Sequence, residues 1–234
     1  MYLFKTTTAL QRHLAHVRAE QRSIGFAPTM GALHEGHLEL FRQTGQETDC
    51  VVASIFVNPT QFNEASDLEK YPRLPEKDIP LLVRQGVEVL FMPSVEQMYP
   101  QDLPPLPDFD FGQLTAVLEG KHRPGHFEGV IQVMHRLLSL VQPDRLYMGQ
   151  KDFQQFTIIQ VLIEKMGMPT RLIPVPTVRE SDGLAMSSRN LRLSAEERER
   201  ASFIYQTLQW ARSQVEAIPA AEIEQKARQK LEAK

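Results

Sequence analysis

Short apolar, β-branched runs alternate along this chain with longer stretches whose apolar positions recur every three to four residues. Residues 23–29 predict a strand that enters a glycine-bearing turn. Residues 36–47 predict the helix after it, weakened near its end by Gly45. Residues 51–57 form a continuous apolar run of the kind found in a sheet covered on both faces. A helix over 76–85 and a strand over 87–92 come next. Prolines at 100, 104, 105 and 107 predict an irregular loop over 99–107. Beyond it, Phe127, Val130, Ile131, Met134, Leu137, Leu138 and Val141 fall on one helical face. A strand over 145–148 follows, then a helix with Phe153, Phe156, Ile159, Ile163 and Met166 on its buried side, then a strand over 171–175.

Strand, helix and strand at this spacing imply an α/β fold, a parallel sheet with helices on both faces. Ligands gather at the carboxyl ends of such strands, which puts the chemistry in the loops after Ala27, Val57 and Met148. After Pro176 the pattern changes. Ala201, Ile204, Leu208, Ala211 and Val215 trace a long amphipathic helix, and Ile223, Ala227 and Leu231 a second. The expected domains are therefore 1–175 and a small, mainly helical 176–234.

With 234 residues, 42% of them hydrophobic, the chain can build one substantial core and a small second domain. A formal net charge of -3 argues against a nucleic-acid binder, which carries a strongly basic face. The single cysteine, Cys50, lies in an apolar run, so it reads as a buried inert thiol, and no cysteine pair marks a zinc site. The first residues lack a signal-peptide pattern and no apolar run reaches membrane-spanning length, which fits a cytoplasmic protein with no membrane partner.

The sharpest motif is Pro28-Thr29-Met30-Gly31-Ala32-Leu33-His34-Glu35-Gly36-His37, between a predicted strand and helix. Two histidines three apart at a helix start can point the same way, and a helix N-terminus favours phosphate. They are equally read as surface histidines; a metalloprotease zinc pair needs one more residue between them. In Gly149-Gln150-Lys151-Asp152-Phe153-Gln154-Gln155, Lys151 can reach a phosphate, or the stretch is an exposed turn with Asp152 as cap. Met186-Ser187-Ser188-Arg189-Asn190 offers two hydroxyls and a guanidinium to an anion, or serves only as a cap-and-turn segment. Asn58-Pro59-Thr60-Gln61-Phe62 ends the buried strand with two amides. The basic run Lys121-His122-Arg123-Pro124-Gly125-His126 precedes a helix, or is a solvated loop.

From Ile24 to Ser194 these five motifs, in this order, resemble the pantothenate synthetase (pantoate–β-alanine ligase) family. The H-E-G-H segment resembles the HIGH-type signature of the nucleotidyltransferase superfamily, and M-S-S-R-N stands in place of its KMSKS-type loop. The resemblance implies a Rossmann-like N-terminal domain, a C-terminal lid and a homodimer. It also implies ATP-dependent adenylation of pantoate, followed by attack of β-alanine to give pantothenate, AMP and pyrophosphate, with magnesium on the triphosphate. Carried over position by position, His34, His37, Lys151, Ser187, Ser188 and Arg189 are the catalytic set. Gln61 and Gln155 hold pantoate with Met30 and Asn58 beside them, and Arg123 supports the phosphate or β-alanine side. Gly36, Gly149, Lys151, Asp152, Val178 and Met186 border the nucleotide, and Asp78 is the magnesium-linked candidate. Two departures stand out. Family members continue past the C-terminal helices into a segment with strands, whereas this chain stops at Leu231-Glu232-Ala233-Lys234, a shortened lid. Residues 101–107 replace the usual glycine- and threonine-bearing loop with prolines. A nucleotidyltransferase that keeps its product nucleotidylated, and a binding module without turnover, remain the alternatives.

Overall fold

The computed structural model describes residues 1–233. Strand β1 (Tyr2–Phe4) and helix α1 (Thr7–Ala19) open it, and neither was expected. The Thr6 hydroxyl starts α1 by accepting from the Ala9 N–H at 3.4 Å. β2 (Ile24–Thr29), α2 (Glu35–Glu47) and β3 (Cys50–Ile55) lie close to their expected bounds. So do α4 (Pro75–Arg84) and β4 (Val89–Phe91), which follow a short α3 (Ala65–Glu69). After a brief α5 (Val95–Met98), the proline-bearing stretch holds neither helix nor strand. A short α6 (Glu119–His122) leads to α7 (His126–Val141), β5 (Arg145–Gly149), α8 (Phe153–Lys165) and β6 (Arg171–Val175). Two helices, α9 (Ala195–Gln214) and α10 (Ala220–Glu232), complete the described chain.

All strand pairs are parallel, in the order β1-β4-β3-β2-β5-β6. One sheet face packs Phe26, Val52, Phe91 and Leu146 against Leu14 of α1, Leu138 of α7 and Leu162 of α8. The other packs Ala27, Ala53, Leu90 and Tyr147 against Leu40 and Phe41 of α2 and Leu82 of α4. This is the expected α/β sheet with helices on both faces. Cys50 lies in the first of these cores, where burial pushes its thiol up to about 12.

The chain reverses direction across the sheet at β2, which has β3 on one side and β5 on the other. That switch point is where an open parallel sheet leaves a crevice at its carboxyl edge. The β2–β5 ladder runs only through Gly25–Arg145 and Phe26–Leu146, whereas the β2–β3 ladder continues to Thr29–Ile55. Pro28, without an N–H to give, sits where the β5 ladder has already stopped. At the amino ends of the same strands, the Asp144 carboxylate accepts from the Ile24 N–H at 2.6 Å and holds them together.

The chain forms two compact units: Met1–Leu33 with His37–Pro176, and the residues from Thr177 onward with His34–Gly36. One expectation about a buried face needs correction: Phe153 is 68% exposed, whereas Ile159 and Ile163 are buried as expected, together with Ile158 and Leu162. In α9 the periodic residues Ile204 and Leu208 are exposed, as is Val215 at its end, while Thr207 is buried. α9 pairs with α10, whose Lys230 ammonium lies 4.8 Å from the Trp210 ring centre, and two helices alone do not make a core deep enough to cover an apolar stripe.

Candidate functional site

The loop leaving β2 is built on two successive left-handed residues, Gly31 (φ 82°) and Ala32 (φ 51°). They turn the amides of Ala32 and Leu33 toward Asp78, in the first turn of α4, whose carboxylate accepts from both at 2.9 and 2.8 Å. Asp78 is 2% exposed. Thr29 secures the loop from the other side. Its hydroxyl donates to the Ser54 carbonyl at 2.8 Å and accepts from the Gly31 N–H at 3.2 Å.

The observed role of Asp78 is to clamp the loop after β2. Both oxygens already serve backbone donors, and no group of three or more His, Cys, Asp or Glu able to hold an ion lies among the described residues. These residues do not form a protein cage for magnesium. Just downstream, His34 Nδ1 accepts from the Gly36 N–H at 3.2 Å, and His37 stands in the first turn of α2.

The second cluster follows β3. Asn58 is 1% exposed and caps the short 3-10 turn Pro59–Gln61. Its Nδ2 donates to the Gly129 carbonyl at 3.0 Å and to Gln61 Oε1 at 3.2 Å. Its Oδ1 accepts from the Tyr99 hydroxyl at 2.9 Å, the Thr60 hydroxyl at 3.1 Å and the Thr60 N–H at 3.4 Å. These bonds make Asn58 a support of the turn. Gln61 Nε2 lies 3.2 Å from Met30 Sδ. The carboxyl ends of β2 and β3 thus bring together Met30, Asn58 and Gln61, three residues picked out as one substrate group.

Arg123 joins this cluster through a histidine. His126 Nδ1 is 2.8 Å from the Gln61 carbonyl, which only accepts, so Nδ1 donates and Nε2 accepts from Arg123 at 3.2 Å. Glu119 holds the same guanidinium at 3.5 Å. α7 approaches the turn so closely that a Cβ on Gly129 would collide with the Thr60 carbonyl. We expect Gly129→Ala to push α7 off the turn and destabilise the protein by about 1–3 kcal/mol. Urea unfolding measures this, and an unchanged midpoint would show that the turn yields freely.

The third cluster follows β5 at the other side of the crevice. Lys151, in the 3-10 turn Gln150–Asp152, has its ammonium 3.6 Å from the Asp152 carboxylate, and its side chain is 36% exposed. Asp152 occupies the N-cap position of α8 without making a side-chain cap bond, so the capping alternative does not hold. Gln155 is half-buried in the first turn of α8. Its neighbour Gln154 was missed. That amide donates to the Leu114 and Val117 carbonyls at 2.7 and 2.8 Å and accepts from the Glu119 N–H at 3.0 Å, stapling the 114–119 loop to α8. Two adjacent glutamines carry no mark in sequence that separates a staple from a ligand contact.

In the second unit, Val178 and Met186 face each other across a hairpin, the Met186 N–H donating to the Val178 carbonyl at 3.0 Å. Arg179 bridges to Ala185 and lays its guanidinium 4.1 Å from the centre of the Tyr205 ring of α9. The Ser187 hydroxyl accepts from the Arg189 N–H at 3.2 Å and opens the 3-10 turn Ser188–Arg192. Asn190 ties that turn to the Ala185 carbonyl at 3.1 Å.

A family model described as pantoate-beta-alanine ligase matches residues 2–234. A pantothenate synthetase of Porphyromonas gingivalis (strain ATCC 33277) is 49% identical over 213 residues, 91% of this chain and 75% of that protein. Another, from Aquifex aeolicus (strain VF5), is 46% identical over 215 residues, 92% of this chain and 76% of its own length. The crystal structure of pantothenate synthetase from Thermus thermophilus superposes with a TM-score of 0.92 at 43% identity, over 100% of this chain and 83% of that one. Pantoate-beta-alanine ligase from Francisella tularensis, complexed with beta-gamma ATP and beta-alanine, gives 0.86 at 38% identity, over 98% and 86%.

Proposed function

The chain belongs to the pantoate–β-alanine ligase family, and from that premise we propose how its residues divide the work. The reaction is the ATP-dependent condensation of pantoate with β-alanine to pantothenate. A carboxylate oxygen of pantoate attacks the α-phosphorus of ATP, the bond to the β-phosphate oxygen breaks, and pyrophosphate leaves. The amine of β-alanine then attacks the acyl carbon of pantoyl adenylate, loses a proton and displaces AMP.

Neither step needs a side-chain nucleophile, and the one cysteine is buried and protonated. The protein's task is to hold two anions together and to stabilise the charge that builds on phosphate oxygens. In this reading Gln61 and Gln155 hold pantoate against Met30. Lys151 and Arg189 neutralise phosphate charge, Ser187 and Ser188 donate hydrogen bonds, and His34 and His37 contact the triphosphate. Gly36, Gly149, Asp152, Val178 and Met186 line the nucleotide, and Arg123 supports the phosphate or β-alanine side. Magnesium, arriving with ATP, would screen the charge of the pyrophosphate leaving group. The reading extends to a homodimer working in the cytoplasm.

The observation that carries the assignment is the Gln61 amide beside Met30 at the carboxyl edge of the sheet, across the switch point from Lys151. The relative solved with beta-gamma ATP and beta-alanine supports the choice of ligands. Exchange of labelled pyrophosphate into ATP should require pantoate, and net AMP release should require β-alanine. Exchange without pantoate, or none at all from folded protein, would overturn the reading; AMP retained on the product would favour the nucleotidyltransferase alternative.

A further inference from the structure

We propose that Tyr99 is a positioning residue that helps hold the Asn58 amide, and through it the Gln61 amide, so that the N–H end of Gln61 faces pantoate. The inference rests on the proposed role of Gln61 and adds a residue that no sequence motif pointed to. The Gly129 carbonyl and the Thr60 N–H set the polarity, and Tyr99 reinforces it. The Gly129 carbonyl can only accept, so the Asn58 atom 3.0 Å from it is Nδ2. The Thr60 N–H can only donate, so the other Asn58 atom is Oδ1. The Tyr99 hydroxyl, 2.9 Å from Oδ1, therefore donates to it, at a shorter distance than either Thr60 donor. The second hydrogen on Nδ2 then goes to the Gln61 atom at 3.2 Å, which must be Oε1.

The consequence appears at the far end of the chain of bonds. Gln61 is left with Nε2 outward, 3.2 Å from a Met30 sulfur, a weak acceptor that a ligand oxygen displaces readily. The pocket thus presents an N–H donor rather than a carbonyl, and selects a ligand that offers an acceptor oxygen there, such as a hydroxyl or carboxylate. Tyr99 can hold this polarity because burial pushes its phenol up to about 12, so it stays a donor throughout the working pH range. The Phe56 ring packs edge-on against it, with centroids 6.2 Å apart.

A double-mutant cycle read by pantoate-dependent pyrophosphate exchange tests the relay. Tyr99→Phe should raise the KM for pantoate about five- to tenfold, the loss of one hydrogen bond, with the KM for ATP unchanged. In a Gln61→Ala background the same substitution should have no further effect. An equal rise in both backgrounds, a joint rise for pantoate and ATP, or no rise would overturn the proposal. Should Tyr99→Phe not fold, Thr60→Val removes a second donor to the same Oδ1 from an exposed position and should show the same dependence on Gln61. A readout without turnover separates this inference from the proposed function. In ligand-free protein, nuclear Overhauser contacts from the Gln61 side-chain NH2 to the Met30 methyl should be present, and should weaken in Tyr99→Phe. Their presence in a protein without pantoate-dependent exchange would keep the relay and sink the functional reading; their absence would sink the relay.

Discussion

Lys151→Ala is expected to slow pantoate-dependent pyrophosphate exchange by about two to three orders of magnitude, comparable to removing one fixed donor from a developing oxyanion. The lysine follows β5, at the strand end where the sheet switches direction, and its ammonium is the positive charge of that turn. Its pairing with Asp152 at 3.6 Å joins two partly exposed groups, and such pairs add little to stability. Melting behaviour should therefore stay near that of the parent protein while exchange collapses. Lys151→Arg restores the charge but not the shape, and should recover only part of the rate. Exchange within tenfold of the parent in the alanine variant would remove Lys151 from the phosphate site.

Asp78→Ala should have the largest effect on stability, about 2–5 kcal/mol, because it strips the partner from two amides that face a buried carboxylate. Asp78→Asn is the sharper test. It keeps one acceptor and turns an NH2 toward the remaining N–H, so the strained loop over Gly31 and Ala32 loses one clamp and gains a repulsion. Unfolding in urea and the exchange rate should fall together, since His34 and His37 continue from that loop. If Asp78 acted instead through magnesium, the asparagine variant would unfold like the parent and show only an altered magnesium dependence.

What could be read in advance follows the range of the interactions concerned. The α7 stripe was legible because its partners repeat within one helix, and the buried β3 run because its composition suits a covered strand. Helix α1 carries its core residues Leu10, Leu14 and Val17 at helical spacing too, but glutamine, arginine and histidine between them hid the period. For α9 the helical period was legible but the exposure of its apolar stripe was not: such a stripe states a preference, and only a facing surface satisfies it.

The site divides in the same way. Met30 and Gln61 stand in recognisable motifs, so the group they form was expected from resemblance. The roles of Asp78 and Asn58 depend on amides 45 and 46 residues upstream and on a carbonyl 71 residues downstream, which no local pattern encodes. Gln154 differs from Gln155 by a single step along α8, and only the folded 114–119 loop separates a staple from its neighbour.

The latch between Asp144 and Ile24 spans 120 residues of chain. The half-sheet of β2, β3 and β4 comes from contiguous sequence and can assemble early, whereas β5 must close that long loop before the crevice has a second wall. Any nucleotide would thus recognise only late species on the folding route. Its thermodynamic effect would be to slow escape from the finished state, and it would do little to hasten arrival there.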